Sequence, residues 1–262
     1  MISQAAITQR KKTAPWNQEA HVEQDLILSR ALVEIFQDED ISKSLVLRGG
    51  TALHKLYVED PLRYSEDIDL VQHTEGPIGP ILDRLRDRLD PFLGEPRRER
   101  NPGTVTLLYR MNSEIPPVVP IKLKVEINSR EHFDVFGVVD KPFEVQSLWF
   151  NGKAQVKTYT LEELLGTKLR ALYQRRKGRD LFDQWVGLEK KTTRPAKIVE
   201  AFQRYMTEGK TEVTQKEFIK NLEKKMSSEA FHNDLKPLLN TSVVYDAEKA
   251  AKSVSDKLLA LL

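Results

Sequence analysis

Residues 63–71 read RYSEDIDLV and contain two acids, Asp67 and Asp69, separated by one isoleucine. In a β-strand, residues two apart point to the same face, so both carboxylates lie on one face and Ile68 and Leu70 on the other. The segment runs into an apolar stretch, which predicts a strand with one buried side. By themselves, the two acids are either solvated surface charges or two ligands of one metal ion.

A second strand with one polar face carries a third acid. Residues 121–128 read IKLKVEIN, in which aliphatic and polar residues alternate, so Glu126 falls on the polar face. If this strand neighbours the strand of Asp67 and Asp69, three carboxylates converge on the open face of one sheet. Their mutual repulsion favours a bound cation, and oxygen ligands without cysteine or paired histidine favour Mg²⁺ or Mn²⁺ over zinc.

A glycine pair precedes the first of these strands. The stretch LRGGTALHK passes from a short buried strand, residues 45–47, into a helix that we predict to begin near Thr51. Gly49 and Gly50 permit backbone conformations closed to other residues, and the helix N-terminus with the Thr51 hydroxyl suits an anion such as a triphosphate. The alternative is a turn needed only for tight packing. Neither the P-loop pattern nor G-x-G-x-x-G occurs in the chain.

The bulk composition describes an ordinary globular protein. The chain has 262 residues, is 40% hydrophobic and 31% charged, and carries a formal charge of +2. This total charge gives no evidence for a nucleic-acid partner. It has no cysteine, which excludes disulfides, thiolate zinc sites and a cysteine nucleophile. No apolar run approaches the length of a membrane span, and the first residues lack a signal-peptide core, so we expect a cytoplasmic protein with no membrane partner.

The pattern of apolar residues predicts an α+β layout. Residues 1–158 mix helices and strands: helices are predicted over residues 17–37 and 79–89, and an antiparallel strand pair on either side of Pro116 and Pro117. More strand-like segments follow at residues 132–139, 144–150 and 155–159. From residue 159 to residue 262 the pattern is almost wholly helical, which predicts a second, helical domain.

The helical half opens with TLEELLGTKLRALY, in which Thr160 and Glu163 form a predicted capping box. Lys168 falls inside the apolar stripe of this helix, where a lysine must snorkel, pair with an acid or face a cleft. Asp180 and Asp183 stand three apart at the start of the next helix, where they cap it, pair with arginines or Lys168, or handle a proton. Between these acids and Lys168 the chain is basic, and such a cluster can bind phosphates or remain a solvated helix end.

In this order, LRGGTALHK, RYSEDIDLV, LKVEIN, ELLGTKLRAL and RDLFD resemble the motifs of the AbiEii/AbiGii family of nucleotidyltransferase toxins. This family lies within the DNA polymerase β-like nucleotidyltransferase superfamily, and the motifs span residues 47–183. The resemblance implies a small mixed palm sheet with flanking helices that carries D-x-D, with a helical C-terminal portion beside it. It also implies Mg²⁺-dependent transfer of a nucleotide from an NTP to an RNA acceptor, the tRNA acceptor end in members whose target is understood. A cognate antitoxin, which often acts without stable contact, is normally encoded nearby.

The resemblance assigns a role to each matching position. Phosphate binding falls to the glycine motif, Gly49, Gly50 and Thr51, although many superfamily members have serine at the position of Gly50. Metal binding falls to Asp67, Asp69 and Glu126. The triphosphate would be held by Lys168. Beyond the matched positions, our mechanistic hypothesis adds Arg175, Arg176 or Arg179, which would neutralise charge that develops on pyrophosphate. The acid of the last motif matches Asp180, and Asp183 also fits it.

Two alternatives from other classes stay open at this point. A metal-dependent glycosyltransferase also uses D-x-D, to hold a nucleotide-sugar diphosphate, but needs neither Lys168 nor the later acids. A non-catalytic binding protein would use the acids only as loop caps, and would show no Mg²⁺-dependent thermal shift with an NTP.

Overall fold

The computed structural model describes residues 2–262, which form two compact units. The first contains the chain up to Phe133 and the segment Val138–Tyr159, and the second contains Asp134–Gly137 and Thr160–Leu262. The first unit carries one mixed sheet with helices, whereas the second is helical. The α+β class predicted from the sequence is therefore confirmed.

The first unit alternates helices with strands. Its helices are α1 (Gln4–Lys11), α2 (Glu19–Gln37), α3 (Glu39–Ser44), α4 (Gly49–Leu56) and α5 (Gly79–Leu93). Its strands are β1 (Leu45–Arg48), β2 (Asp67–Gln72), β3 (Arg97–Asn101), β4 (Thr104–Asn112), β5 (Pro120–Asn128), β6 (Val138–Gln146) and β7 (Asn151–Tyr159).

The strands form one sheet in the order β3-β4-β5-β2-β1-β7-β6. Two neighbouring pairs are parallel, β2 with β5 and β1 with β7, and the other pairs are antiparallel. The predicted antiparallel pair is β4 with β5, with Thr104 opposite Asn128 at one end and Asn112 opposite Pro120 at the other. This order puts β2, the strand of the D-x-D pair, near the middle of the sheet.

One face of the sheet is apolar and packs on helices. In β2 and β5 the residues of this face, Ile68, Leu70, Val125 and Ile127, are at most 1% exposed. Helix α2 lies against β2, β5, β6 and β7. The side-chain amide of Gln24 in α2 donates to the carbonyls of residue 122 at 2.7 Å and residue 66 at 3.2 Å, which fixes the helix against β5 and the residue before β2.

A buried ion pair fastens α2 to α1 and α4. Asp25 is 1% exposed and accepts hydrogen bonds from the Arg10 guanidinium at 2.6 and 2.8 Å and from the Lys55 ammonium. Burial favours the protonated acid, but Lys55 and Arg10 outweigh it and hold the pKa of Asp25 below its usual range. The pKa of Lys55 is also lowered, because burial and the neighbouring Arg10 outweigh the attraction of Asp25.

The variant Asp25→Asn removes the counter-ion of two cations. We expect it to lower the free energy of unfolding by about 3–5 kcal/mol, the range for breaking one partner of a buried ion pair. Urea unfolding followed by circular dichroism measures the change. The matched control is Glu39→Gln, because Glu39 pairs with Lys43 at 3.3 Å but is 87% exposed, and such pairs contribute at most about 1 kcal/mol. Equal losses in the two variants would contradict the structural role of Asp25.

The second unit consists of helices joined by short connections. They are α6 (Leu161–Gln174), α7 (Gly178–Glu189), α8 (Pro195–Glu208), α9 (Gln215–Met226), α10 (Glu229–Asn233) and α11 (Ala247–Lys257), with 3₁₀ turns at Lys236–Leu238 and Leu259–Leu261. Helices α6 and α8 cross closely at Gly166, where a Cβ atom would lie 2.6 Å from that of Ala201. Across residues 2–262, no helix is both long enough and apolar enough to span a membrane.

The predicted capping box of α6 is only half formed. The Thr160 hydroxyl accepts a hydrogen bond from the Glu163 N–H at 3.4 Å, as predicted. The Glu163 carboxylate instead accepts from the N–H groups of Val135 at 2.9 Å and Phe136 at 3.0 Å, and from the Tyr205 hydroxyl at 2.9 Å. The reciprocal bond was therefore wrongly predicted, and within the second unit the acid ties residues 134–137 to α6 and α8.

Two strand predictions are also corrected. The predicted strand over residues 132–139 begins only at Val138, and the one over residues 144–150 ends at Gln146. The edge strand β3 reads RRERN and was not predicted, because it has no apolar residue and obtains its conformation from pairing with β4.

Candidate active site

The parallel pairing of β2 with β5 brings the three predicted metal-binding acids onto one face of the sheet. The register places Asp69 opposite Glu126 and Asp67 opposite Lys124. Paired residues of adjacent strands point to the same side, so these four side chains form a square on the face opposite the apolar one. We call these four residues the acidic square. The two strands are neighbours, which is the condition on which the predicted three-carboxylate face depends.

The fourth member of the acidic square is a cation that the sequence reasoning missed. The Lys124 ammonium lies 3.4 Å from Oδ2 of Asp67 and 3.3 Å from Oε2 of Glu126, and the three side chains are each about one-third exposed. In the sequence, Lys124 was visible only as a polar residue of the alternating strand. Its significance depends on the cross-strand register, which the sequence does not contain.

Burial and neighbouring acids disfavour ionisation of Asp67, one carboxylate of the acidic square. Burial raises the pKa of Asp67 to about 6, with Asp69 and Glu66 acting in the same direction and Lys124 opposing them. Burial would lower the pKa of Lys124, but the neighbouring acids Asp67, Glu126 and Asp69 outweigh it and raise that pKa. The raised pKa of Asp67 and the raised pKa of Lys124 both have the direction expected where carboxylates outnumber cations.

The donor chemistry of the acidic square fits a divalent metal. Within residues 2–262, no three histidine or acidic side chains stand close enough together to hold a metal ion as they are arranged. However, three carboxylates share one sheet face, and the Lys124 ammonium already occupies a cation position between two of them. Hard oxygen donors of this kind suit Mg²⁺ or Mn²⁺.

The glycine turn is shaped around the acidic square. Gly49 has φ +80°, and a Cβ at this position would lie 2.2 Å from Oδ2 of Asp69. A Cβ on Gly50 would lie 2.5 Å from Nη2 of Arg63 and 3.1 Å from Oγ of Ser65. Both glycines therefore have a packing reason, and Gly49 in particular leaves room for the Asp69 carboxylate.

The Thr51 hydroxyl is engaged within the first unit. Thr51 is 1% exposed, and its Oγ1 donates to the Asp67 carbonyl at 2.5 Å and lies 2.9 Å from Oγ of Ser65. The side chain thus ties α4 to the first residue of β2. In this arrangement the donors that α4 presents to an anion are its first main-chain N–H groups.

Alanine at Gly49 should cost more than alanine at another glycine with the same backbone. Gly94 is the matched control, because its φ is +77° and an added Cβ would meet nothing within 4 Å. We expect Gly94→Ala to lose about 1 kcal/mol of unfolding free energy from backbone strain alone. Gly49→Ala should lose more, because the Asp69 carboxylate must move. Equal losses in denaturant unfolding would contradict the fit between Gly49 and Asp69.

The second unit holds the other predicted site residues. Lys168 is 5% exposed, and its ammonium lies 2.7 Å from Oδ2 of Asp183 and 3.4 Å from Oδ1 of Asp180. Arg175 donates two hydrogen bonds to Asp180, at 2.6 and 2.7 Å. Of the possibilities left open by the sequence, Lys168 thus pairs with acids, and Asp180 pairs with Lys168 and an arginine. Both aspartates are fully buried.

Lys168→Met should destabilise the second unit strongly. It leaves two buried carboxylates short of a counter-ion, which typically costs about 3–5 kcal/mol. The matched control is Arg176→Met, because Arg176 belongs to the same basic run but is exposed, and exposed substitutions usually stay within about 0.5 kcal/mol. Thermal unfolding compares the two variants. A Lys168→Met protein as stable as the control would refute the ion-pair role.

The basic run of residues 168–179 is largely neutralised within its own unit. Besides the pairing of Arg175 with Asp180, Lys177 lies 3.1 Å and Arg179 3.6 Å from the Asp234 carboxylate. Arg176 is exposed. The roles predicted for Arg176 and Arg179 at the pyrophosphate stay predictions, and the run gives weaker support for a polyanion site than its sequence indicated.

Solved structures with this fold include nucleotidyltransferases. MenT4, a nucleotidyltransferase toxin of Mycobacterium tuberculosis, matches with a TM-score of 0.64 and 14% identity, over 98% of this chain and 90% of its own. JHP933 of Helicobacter pylori matches with a TM-score of 0.57 and 18% identity, over 93% and 92%. At these identities the likeness establishes the fold alone. No curated protein sequence matches the chain.

The family follows from the sequence match. Residues 30–253 match the family described as "Nucleotidyl transferase AbiEii toxin, Type IV TA system". The chain therefore belongs to the AbiEii family of nucleotidyltransferase toxins of type IV toxin–antitoxin systems. The resemblance drawn from the motifs is confirmed, and the family favours nucleotidyl transfer over the glycosyltransferase and the non-catalytic binding protein. It also implies a nucleotide substrate and an antitoxin partner.

Proposed function

We propose that the chain transfers a nucleotide from an NTP to an RNA acceptor and releases pyrophosphate, with the tRNA 3′ end as the first acceptor to test. The observation that carries the proposal is the acidic square beside the Gly49–Gly50 turn, in a chain of this toxin family. In the reaction, a hydroxyl oxygen of the acceptor bonds to the α-phosphorus as the bond from that phosphorus to pyrophosphate breaks.

The carboxylates of the acidic square supply the ligands for the metal. Asp67 and Asp69 would hold Mg²⁺ or Mn²⁺ at the triphosphate, and Glu126 would join them at a second ion. When bound, such ions lower the pKa of the attacking hydroxyl and neutralise charge on the phosphates. The sheet register keeps Asp69 and Glu126 opposite each other, so ion binding would require movement of side chains but no change in strand pairing.

The glycine turn supplies a place for phosphate oxygens. The first N–H groups of a helix have no partner within the helix, and the helix dipole favours an anion there. Gly49 begins α4 directly beside the Asp69 carboxylate. A phosphate at this turn would therefore lie next to the metal ligands. Because Thr51 donates to a carbonyl, this contact depends on the main chain and not on a hydroxyl.

An RNA acceptor is supported by cations on the same sheet face. Arg110 of β4 stands opposite Lys122 of β5, on the side of the sheet that carries the acidic square, and both residues are exposed. Exposed arginine and lysine bind a phosphate backbone without reading its sequence. The pair adjoins Lys124, so an acceptor strand bound there would lead toward the acids.

The predicted roles of Lys168 at the triphosphate and of Asp180 and Asp183 in catalysis remain proposals. These catalytic roles are supported by the match to the family's motifs. The buried ion pairs give the same residues a structural role as well.

Transfer of radiolabel from α-labelled NTPs to total tRNA tests the proposal. We expect label on tRNA with at least one NTP in the presence of Mg²⁺. Asp69→Asn should reduce the rate by about a hundredfold or more, the scale on which loss of one electrostatic contact to the transition state acts. The control Asp87→Asn, which removes an exposed acid of α5, should leave the rate unchanged.

Two outcomes would contradict different parts of the proposal. Undiminished labelling by Asp69→Asn would refute the assignment of the metal ligands. Labelling of other RNA but not tRNA, with the same dependence on Asp69, would keep nucleotidyl transfer and replace the acceptor.

A further inference from the structure

The Lys124 ammonium lies between two carboxylates of the acidic square, where a positive charge reduces their mutual repulsion. Three carboxylates on one sheet face repel one another, and the ammonium lies within 3.4 Å of two of them, Asp67 and Glu126. The backbone fixes this position, because Lys124 is the in-register partner of Asp67 and is two residues from Glu126 on the same face. The contact is therefore built into the sheet and does not depend on a flexible loop.

Two further cations lie on this face of the sheet, Arg48 and Lys122. Arg48 of β1 stands opposite Asp69 and thus on the same face; its guanidinium pairs with Glu131 and also interacts electrostatically with Asp69. Lys122 is two residues from Lys124 on the same face and is exposed. Among the ion pairs described within residues 2–262, Lys124 is the partner of two of the three predicted metal ligands, Asp67 and Glu126.

We propose that Lys124 is a built-in counter-cation of the acidic square, which holds Asp67 and Glu126 in the metal-free protein and lowers the affinity of the site for a free divalent ion. This inference rests on the proposed metal-dependent nucleotidyl transfer. A metal ion that takes the same carboxylate oxygens must displace the ammonium or bind beside it, and either event opposes binding. The site therefore selects an ion that arrives with the negative charge of a triphosphate over an ion from solution.

The charge of Lys124 also limits the number of metal ions that the free protein binds. With Lys124 charged, the square carries two excess negative charges, which one divalent ion neutralises. A second ion would leave an excess of positive charge unless an anion accompanies it. The free protein should thus hold one Mn²⁺ ion, and a second should bind only together with an NTP.

Direct Mn²⁺ binding to the full chain tests the proposal. We expect Lys124→Met to bind free Mn²⁺ about tenfold more tightly than wild type, by calorimetry and by the electron paramagnetic resonance signal of unbound Mn²⁺, since a neighbouring like charge typically disfavours a cation by this order. The matched control Lys122→Met removes a charge from the same strand and face without an ion pair to the acids, and should leave the affinity unchanged. Lys124→Arg keeps the charge and should behave as wild type.

The unfolding temperature gives a second measurement that does not depend on catalysis. Without metal, Lys124→Met should unfold at a lower temperature than Lys122→Met, because Asp67 and Glu126 lose their counter-ion. Added Mn²⁺ should raise the unfolding temperature of Lys124→Met by more than that of wild type, because tighter binding to the folded state stabilises it further.

The outcomes separate this proposal from the proposed function. If Lys124→Met binds Mn²⁺ no more tightly than wild type while Asp69→Asn abolishes binding, the counter-cation role is wrong and the metal assignment stands. If Asp69→Asn binds Mn²⁺ as well as wild type does, the metal assignment is wrong and this proposal fails with it. Equal tightening in Lys124→Met and Lys122→Met would reduce the effect to general surface charge and overturn the specific role of Lys124.

Discussion

The parallel register between β2 and β5 is the constraint on which the candidate site depends. Side chains alternate along a strand, so a slip of one residue would turn Glu126 toward the apolar face and separate it from Asp69. The register is fixed by burial: Ile68 opposite Val125 and Leu70 opposite Ile127 are at most 1% exposed. The hydrophobic face thus determines the geometry of the polar face, although it contributes no atom to the site.

The carboxylates of the polar face are in place only if the first residues of β2 are held in position, and three contacts hold them. Thr51 donates to the Asp67 carbonyl, Gln24 donates to the carbonyl of the preceding residue, and Gly49 leaves space for the Asp69 carboxylate. Each contact comes from a helix whose own position is held by buried groups, such as the ion pair of Asp25 in α2 with Lys55 in α4. The D-x-D pair is therefore positioned from both sides of its backbone.

The sequence predicted which residues share a face of each strand, but it did not predict the ion pairs between neighbouring strands. Alternation is a local property, so it placed Glu126 on a polar face and Ile68 on a buried one. Ion pairs between elements depend on register and packing, so the contacts of Lys124 with Asp67 and Glu126 were not foreseen. The strand β3 was missed for a related reason: its five residues carry no apolar signal and pair with β4 through the backbone. Glu163 was assigned a local capping bond, but its carboxylate bonds residues distant in sequence, Val135 and Phe136.

Lys124 and Lys168 show why a lysine beside carboxylates does not by itself define a role. Lys124 is one-third exposed, so water reaches its ammonium and its carboxylate partners when the contact is broken. Lys168 is buried and faces two fully buried aspartates, so removing it leaves charges that water does not reach. Loss of activity in a Lys168 variant would therefore follow from unfolding as readily as from a lost phosphate contact. A catalytic assignment for Lys168 requires a variant that keeps the charge and the fold, such as Lys168→Arg, and a change in kcat without a change in unfolding temperature.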